Sequence, residues 1–221
     1  MNVPDFPCYA FDIDGTLARY RDMRPETFLF GNFLFPVLRD FAAERGMAPA
    51  EARRRIGAVM EADRFWDYPD FVRALGLPPG EALARMRAWH AAHVEPCPDA
   101  VDLVRRLHSG GKRLFVVSNN PGLGCLLKLE RCGLADAGTR TSGFFGRIVG
   151  TDTMLGCKGE PGAWPRGLAL LGVPAPDVCV VGDNPLEDRD LPLAAGAGGS
   201  FLFDRRTLLR GIEATSGKTP S

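Results

Sequence analysis

The sequence predicts an α/β fold: a Rossmann-like, doubly wound parallel sheet that carries an inserted all-helical cap. Three observations predict it. Short apolar runs alternate with helical patterns along most of the chain. Most of those runs are nearly continuous in apolar residues, as strands buried on both faces are. The long interval from Leu17 to Lys112 holds no convincing strand.

Each element follows in chain order. "CYAFD" (8–12), "RLFVVS" (113–118), "GRIVG" (146–150), "VCVVGD" (178–183) and "SFLF" (200–203) read as strands. Helices are expected between them at about 98–109, 122–132, 161–171 and 186–195, with Pro121 and Pro161 near two of the starts, where a missing N–H costs nothing. This β-α repetition makes an open sheet wound in both directions. In the strandless interval, helices are expected at about 26–45 (kinked by Pro36), 49–64, 69–75 and 80–93, and "GLPPGE" (76–81) marks a turn. One crossover helix, 98–109, suffices to join the first two strands. The expected organisation is therefore a core of residues 1–20 and 96–221 and a helical cap of residues 21–95.

Composition narrows the function. The chain has 221 residues, 45% of them hydrophobic, and 27 basic side chains balance 27 acidic ones with no run of one sign. Electrostatic capture of nucleic acid or of an anionic membrane is not indicated. The longest apolar stretch, "FLFGNFLFPVL" (28–38), falls short of a bilayer span, and the N-terminus lacks the basic and apolar regions of a signal peptide. The six cysteines form no C-x-x-C pair, and reduced thiols in a cytoplasmic protein are expected.

Polar residues gather where the strands stop. The first strand ends in Asp12, with Asp14 just beyond; the second ends in Ser118, Asn119 and Asn120; the fourth ends in Gly182 and Asp183, with Asp188 five residues on; and Lys158 precedes the helix leading to that strand. In open α/β sheets, ligands bind beyond the carboxyl ends of the strands. An aspartate after a strand is most often a helix cap or turn residue, but that explanation does not cover all of these together. Carboxylates about 4 Å apart repel by several kcal/mol and raise one another's pKa unless positive charge intervenes. Oxygen ligands beside a phosphate oxygen suit Mg²⁺, and Ser118 with the free amides at the start of the following helix makes an anion cradle. The set points to phosphoryl transfer, with an aspartate able to serve as nucleophile.

These residues resemble the haloacid dehalogenase-like superfamily, in its phosphatase branch with a helical cap, of the phosphoglycolate phosphatase-like kind. "AFDIDGTL" matches the D-x-D-G-T motif, "LFVVSNN" the strand ending in Ser or Thr, Lys158 the lysine before a helix, and "GDNPLED" the motif G-D-x-x-x-x-D, all in order. The resemblance implies that Asp12 is the nucleophile and a metal ligand. Asp14 is then the general acid/base, which also offers its backbone carbonyl to Mg²⁺. Asp183 becomes a further metal ligand, with Asp188 supporting the metal waters or Lys158. Ser118 and catalytic Lys158 hold the phosphoryl oxygens, and Thr16 and Asn119 add substrate contacts. Members that cleave carbon–halogen bonds lack the second aspartate, because a halide needs no proton, so Asp14 argues for ester cleavage. Gly159 stands where the family commonly has proline, and "ADAGTRTSGFFG" (135–146) is longer than the usual link.

The expected activity is a Mg²⁺-dependent phosphohydrolase acting on a small phosphorylated metabolite, as a monomer or homodimer, with no nucleic acid or membrane partner. A phosphomutase returning the phosphoryl group to a sugar phosphate is the nearest rival, and a non-catalytic phosphate-ligand sensor is a more distant one. Other signals read as packing. Gly122 and Gly124 lack the third glycine of a dinucleotide fingerprint, where Leu127 stands. His90 and His93 share a stripe with Leu83 and Met86, and Phe28, Phe30, Phe33 and Phe35 are expected to fill the cap interior. Arg19, Arg21 and Arg24 are expected to pair with Asp22 and Glu26 in a solvated turn rather than hold an anionic leaving group.

Overall fold

The computed structural model describes residues 3–21 and 34–204. Strands β1 (Cys8–Phe11), β4 (Arg113–Val117), β5 (Phe145–Val149), β6 (Val178–Gly182) and β7 (Gly199–Leu202) form one parallel sheet in the order β5-β4-β1-β6-β7. Every expected strand is present, within a residue or so at each end. β1 lies at the centre, paired with β4 on one side and β6 on the other, so the winding reverses between β1 and β6. That reversal opens a crevice at the carboxyl ends of these two strands.

Strands β2 (Ala18–Tyr20) and β3 (Val94–Pro96) correct the expectation of a strandless interval: they pair antiparallel, with Tyr20 opposite Val94. Three residues are too few to carry an alternation signal, which is why neither was predicted. Between them run α1 (Phe35–Glu44), α2 (Pro49–Ala62), α3 (Tyr68–Ala74) and α4 (Pro79–His93). All four carry proline in the first turn, where its fixed φ suits the helix and no hydrogen bond is lost. The helix expected over 26–45 is described only from Phe35. Pro36 sits in its first turn rather than at a kink, and Phe28, Phe30, Phe33 and Arg24 lie outside the described residues.

On the sheet pack α5 (Pro98–Ser109), α6 (Gly122–Arg131), α7 (Thr151–Met154), α8 (Ala163–Leu170) and α9 (Leu191–Ala194). α8 starts two residues after Pro161 because Gly162 takes a left-handed conformation at φ 76°. The helix expected over 186–195 is instead a π-type turn, Leu186–Asp190, followed by α9. The wider turn carries Asp188 inward, as π-turns at functional sites often do.

Among the described residues, three apolar clusters form the core. Two cover the faces of the sheet. The third joins Leu38, Phe41, Trp66, Phe71 and Met86 of the α1–α4 layer to Leu123, Leu126 and Leu127 of α6. Phe35 packs on Trp66 and Phe71 at 5.4 and 4.8 Å between ring centroids, within reach of edge-to-face attraction. His90 is buried, with Nδ1 2.8 Å from the Met86 carbonyl, and desolvation brings its pKa down to about 4. His93 stacks on Trp89. Both are packing residues. Arg19 pairs with Glu95 across β2 and β3 at 2.6 Å; Asp22 and Glu26, the partners expected for it, lie outside the described residues. Among the described residues, no helix is long and apolar enough to cross a membrane.

Candidate active site

The polar strand ends converge. Asp12 extends the β1 ladder, its amide donating to the Val181 carbonyl at 2.8 Å, which fixes its carboxylate beside the end of β6. Lys158, between α7 and α8, is 2% exposed and donates to Asp12 Oδ1 and Asp188 Oδ1, both at 2.6 Å. Asp188 is fully buried, and its Oδ2 accepts from the amides of Asp183 and Asn184 at 3.2 and 3.1 Å. One aspartate thus orients the lysine and ties down the loop that carries Asp183. Thr16 Oγ1 lies 3.4 Å from Asp183 Oδ1.

Carboxylate oxygens of Asp12, Asp183 and Asp188 lie within 4.8 Å of one another. The backbone allows this approach only without side chains at two glycines. A Cβ on Gly15, at φ 78°, would stand 2.2 Å from Asp183 Oδ2, and one on Gly182 would stand 2.2 Å from Asp188 Oδ2. Burial pushes the Asp12 carboxyl up to about 8, against the pull of Lys158, and the charges of Asp188 and Asp14 push the same way. Burial works to lower the Lys158 ammonium, but Asp12 and Asp188 outweigh it, and its pKa lies above the ordinary value. Negative charge at this edge exceeds what Lys158 offsets, and an all-oxygen set of this kind fits a hard divalent cation.

Ser118 is buried at the end of β4, its amide bonded to the Val149 carbonyl at 3.0 Å. Its Oγ accepts from the Asn120 side chain at 2.8 Å. Asn119 bridges the site's walls: its Oδ1 accepts from the Lys158 amide at 2.7 Å and its Nδ2 donates to Glu187 at 2.9 Å.

The free amides expected at the start of α6 are not free. Gly122 N donates to Asp152 Oδ1 at 2.8 Å, and Leu123 N to Asp67 Oδ1 at 3.0 Å. Asp67 arrives from the α1–α4 layer, where it also caps α3 and accepts from Arg140 at 3.0 Å. Two carboxylates therefore occupy the positive end of α6.

Asp14 has a partner outside the four motifs. Lys128, on α6 and 1% exposed, donates to Asp14 Oδ1 and Oδ2 at 2.7 and 2.8 Å and to Asn120 Oδ1 at 2.7 Å. Asn120 Nδ2 donates to Asp14 Oδ2 at 2.6 Å. A signal existed in "CLLKLE": a lysine inside an otherwise apolar helical run is fully buried only when paired.

With this geometry in place, comparison with known proteins is informative. Residues 6–198 match the family of haloacid dehalogenase-like hydrolases. Comparison with curated proteins gives no match. Among solved structures, the chain is similar to CbbY from Rhodobacter sphaeroides in complex with phosphate, at 19% identity and a TM-score of 0.54, covering 90% of this chain and 87% of that one. It is also similar to 2-haloacid dehalogenase from Pseudomonas syringae pv. Tomato DC3000, at 18% identity and a TM-score of 0.55, covering 98% and 90%. The UTR4 protein of Saccharomyces cerevisiae matches at 19% identity and a TM-score of 0.54, covering 90% and 89%. At these identities the likeness is one of fold, and it spans a phosphate-bound protein and a dehalogenase alike.

Proposed function

The chain belongs to the haloacid dehalogenase-like hydrolases, and we propose that it is a Mg²⁺-dependent phosphohydrolase that cleaves a small phosphomonoester through an aspartyl phosphate on Asp12. Asp14 carries this reading. An alkoxide leaving group needs a proton and a halide does not, and here a carboxylate two residues beyond Asp12 is anchored by Lys128 and Asn120. That observation favours ester cleavage over dehalogenation.

In this reading, an Asp12 oxygen attacks phosphorus while Lys158 and Ser118 hold the phosphoryl oxygens. Thr16 and Asn119 keep the surrounding loops in place. Asp14 protonates the departing oxygen, then takes a proton from the water that opens the acyl phosphate. Asp12, Asp183 and the Asp14 backbone carbonyl would hold the metal, with Asp188 behind them. Bound there, Mg²⁺ supplies positive charge against the carboxylates and the phosphoryl group. Helices α1–α4 act as the cap over the site.

The test is a phosphate-release screen over phosphorylated metabolites, with 2-haloacids assayed in parallel. At least one phosphomonoester is expected to give steady release with Mg²⁺. Chelation by EDTA should silence it, and Mg²⁺ should restore it better than Ca²⁺, whose larger shell misplaces the nucleophile. Phosphoryl return to a sugar phosphate without net release would make the protein a mutase; halide release would make it a dehalogenase. Full activity in chelator would remove the metal.

A further inference from the structure

Lys128 reaches the catalytic edge from a helix that no motif of the site includes. Its ammonium is the meeting point of three segments. It bonds both oxygens of Asp14 in the loop after β1 and the side-chain oxygen of Asn120 in the loop after β4. It also lies 4.9 Å from the ring centroid of Tyr20 on β2, in cation–π range. Asn120 closes the arrangement by donating to Asp14 Oδ2, so that oxygen accepts from two buried side chains. Asp14 keeps 31% of its side chain exposed while Lys128 is 1% exposed, so Lys128 lies behind the carboxylate and not in the substrate's path.

We propose that Lys128, braced by Asn120, is a positioning residue that fixes the rotamer of Asp14 so that its carboxyl meets the oxygen of the leaving group. The inference rests on the phosphohydrolase reading and adds to it a residue outside the four motifs. A carboxylate held at both oxygens by one ammonium has a fixed plane and a fixed χ1. An aspartate on a loop without that hold samples several staggered rotamers, and proton transfer requires heavy atoms within hydrogen-bond reach. The buried lysine spends its burial on orientation, as a charge that supports a site rather than meeting the substrate.

The test compares Lys128→Met with wild type on two esters: an aliphatic phosphomonoester that the enzyme turns over, and 4-nitrophenyl phosphate, whose leaving group departs without a proton. The expected result is a selective fall in kcat on the aliphatic ester of about 10²-fold, the low end of general acid catalysis. KM should not change, and the single-turnover burst of nitrophenol, which precedes the water step that also uses Asp14, should stay within about threefold. Lys128→Arg, which keeps the charge but displaces the donors, should show the same selectivity to a smaller degree, with a thermal melt confirming that it is folded. An equal loss in the nitrophenol burst, or no loss on the aliphatic ester, would overturn the proposal. If wild type hydrolyses no phosphomonoester, the phosphohydrolase reading fails by itself. Crystal structures of the two variants then decide the role of Lys128: a displaced or split Asp14 carboxylate supports positioning, and an unmoved one refutes it.

Discussion

Asp12→Asn is expected to abolish turnover, by about 10⁴-fold or more, the scale on which removing a nucleophile acts, while the protein stays folded. The amide has the shape of the carboxylate but no oxygen nucleophilic enough to attack phosphorus. Folding should survive because the substitution removes a buried charge that burial, Asp188 and Asp14 already disfavour. Lys158 keeps its second partner, Asp188, at 2.6 Å. Phosphate release on the best substrate and a thermal melt check the two halves. Turnover within tenfold of wild type would sink the covalent route.

Lys158→Met should damage both activity and stability. Its ammonium stands between two carboxylates, with Asp12 6% exposed and Asp188 fully buried. Removing one partner of such a group leaves charge buried and uncompensated, at a cost of about 3–5 kcal/mol. For a chain of this size, that lowers Tm by roughly 6–20 °C. The measurement belongs in chelator, so that no cation substitutes for the lysine. The sign with pH follows from Asp12. Asp12 stands near 8 with Lys158 pulling it down and stands higher still without the lysine, so the variant's deficit should be smaller at low pH and grow as the pH rises through and above about 8. Adding Asp188→Asn should restore part of the stability and none of the turnover, because the phosphoryl group still lacks its cation. A variant that melts with wild type at neutral pH would mean that the two aspartates find other partners.

The sheet was legible because each parallel strand is buried on both faces and so prints a local apolar run; "VCVV" and "LFVV" need no long-range knowledge. The convergence of Asp12, Asp183 and Ser118 was legible for a related reason: they stand at the ends of those runs, while Lys158 was marked by its place ahead of the helix that leads to β6. What escaped depends on distant pairing. β2 and β3 are three residues each and exist through one another, 76 positions apart at Arg19 and Glu95. Asp67 caps α3, the helix next to it in sequence. Nothing local says that the same carboxylate also closes the first turn of α6, 56 residues on, and displaces the anion cradle expected there. Lys128 falls within no motif spacing; its local mark is its place in the apolar run "CLLKLE", and its burial beside Asp14 gives that mark its meaning.

The apolar cluster that joins Leu38, Phe41, Trp66, Phe71 and Met86 to Leu123, Leu126 and Leu127 has a consequence for how the molecule comes apart. Helix α6 is shared property. One of its faces belongs to the sheet, through Cys125 and Leu129, and another to the helical layer. Neither side can melt while α6 stays solvated on the other, since several large side chains would lose their burial together. Calorimetry should therefore record a single transition whose van't Hoff and calorimetric enthalpies agree, rather than an early loss of the helical layer. Replacing Leu126 by Ala should lower that one transition without splitting it, by the several kcal/mol that a buried leucine is worth. A single transition would make the region around Asp14 and the layer above it one cooperative unit, with no separate opening of the layer.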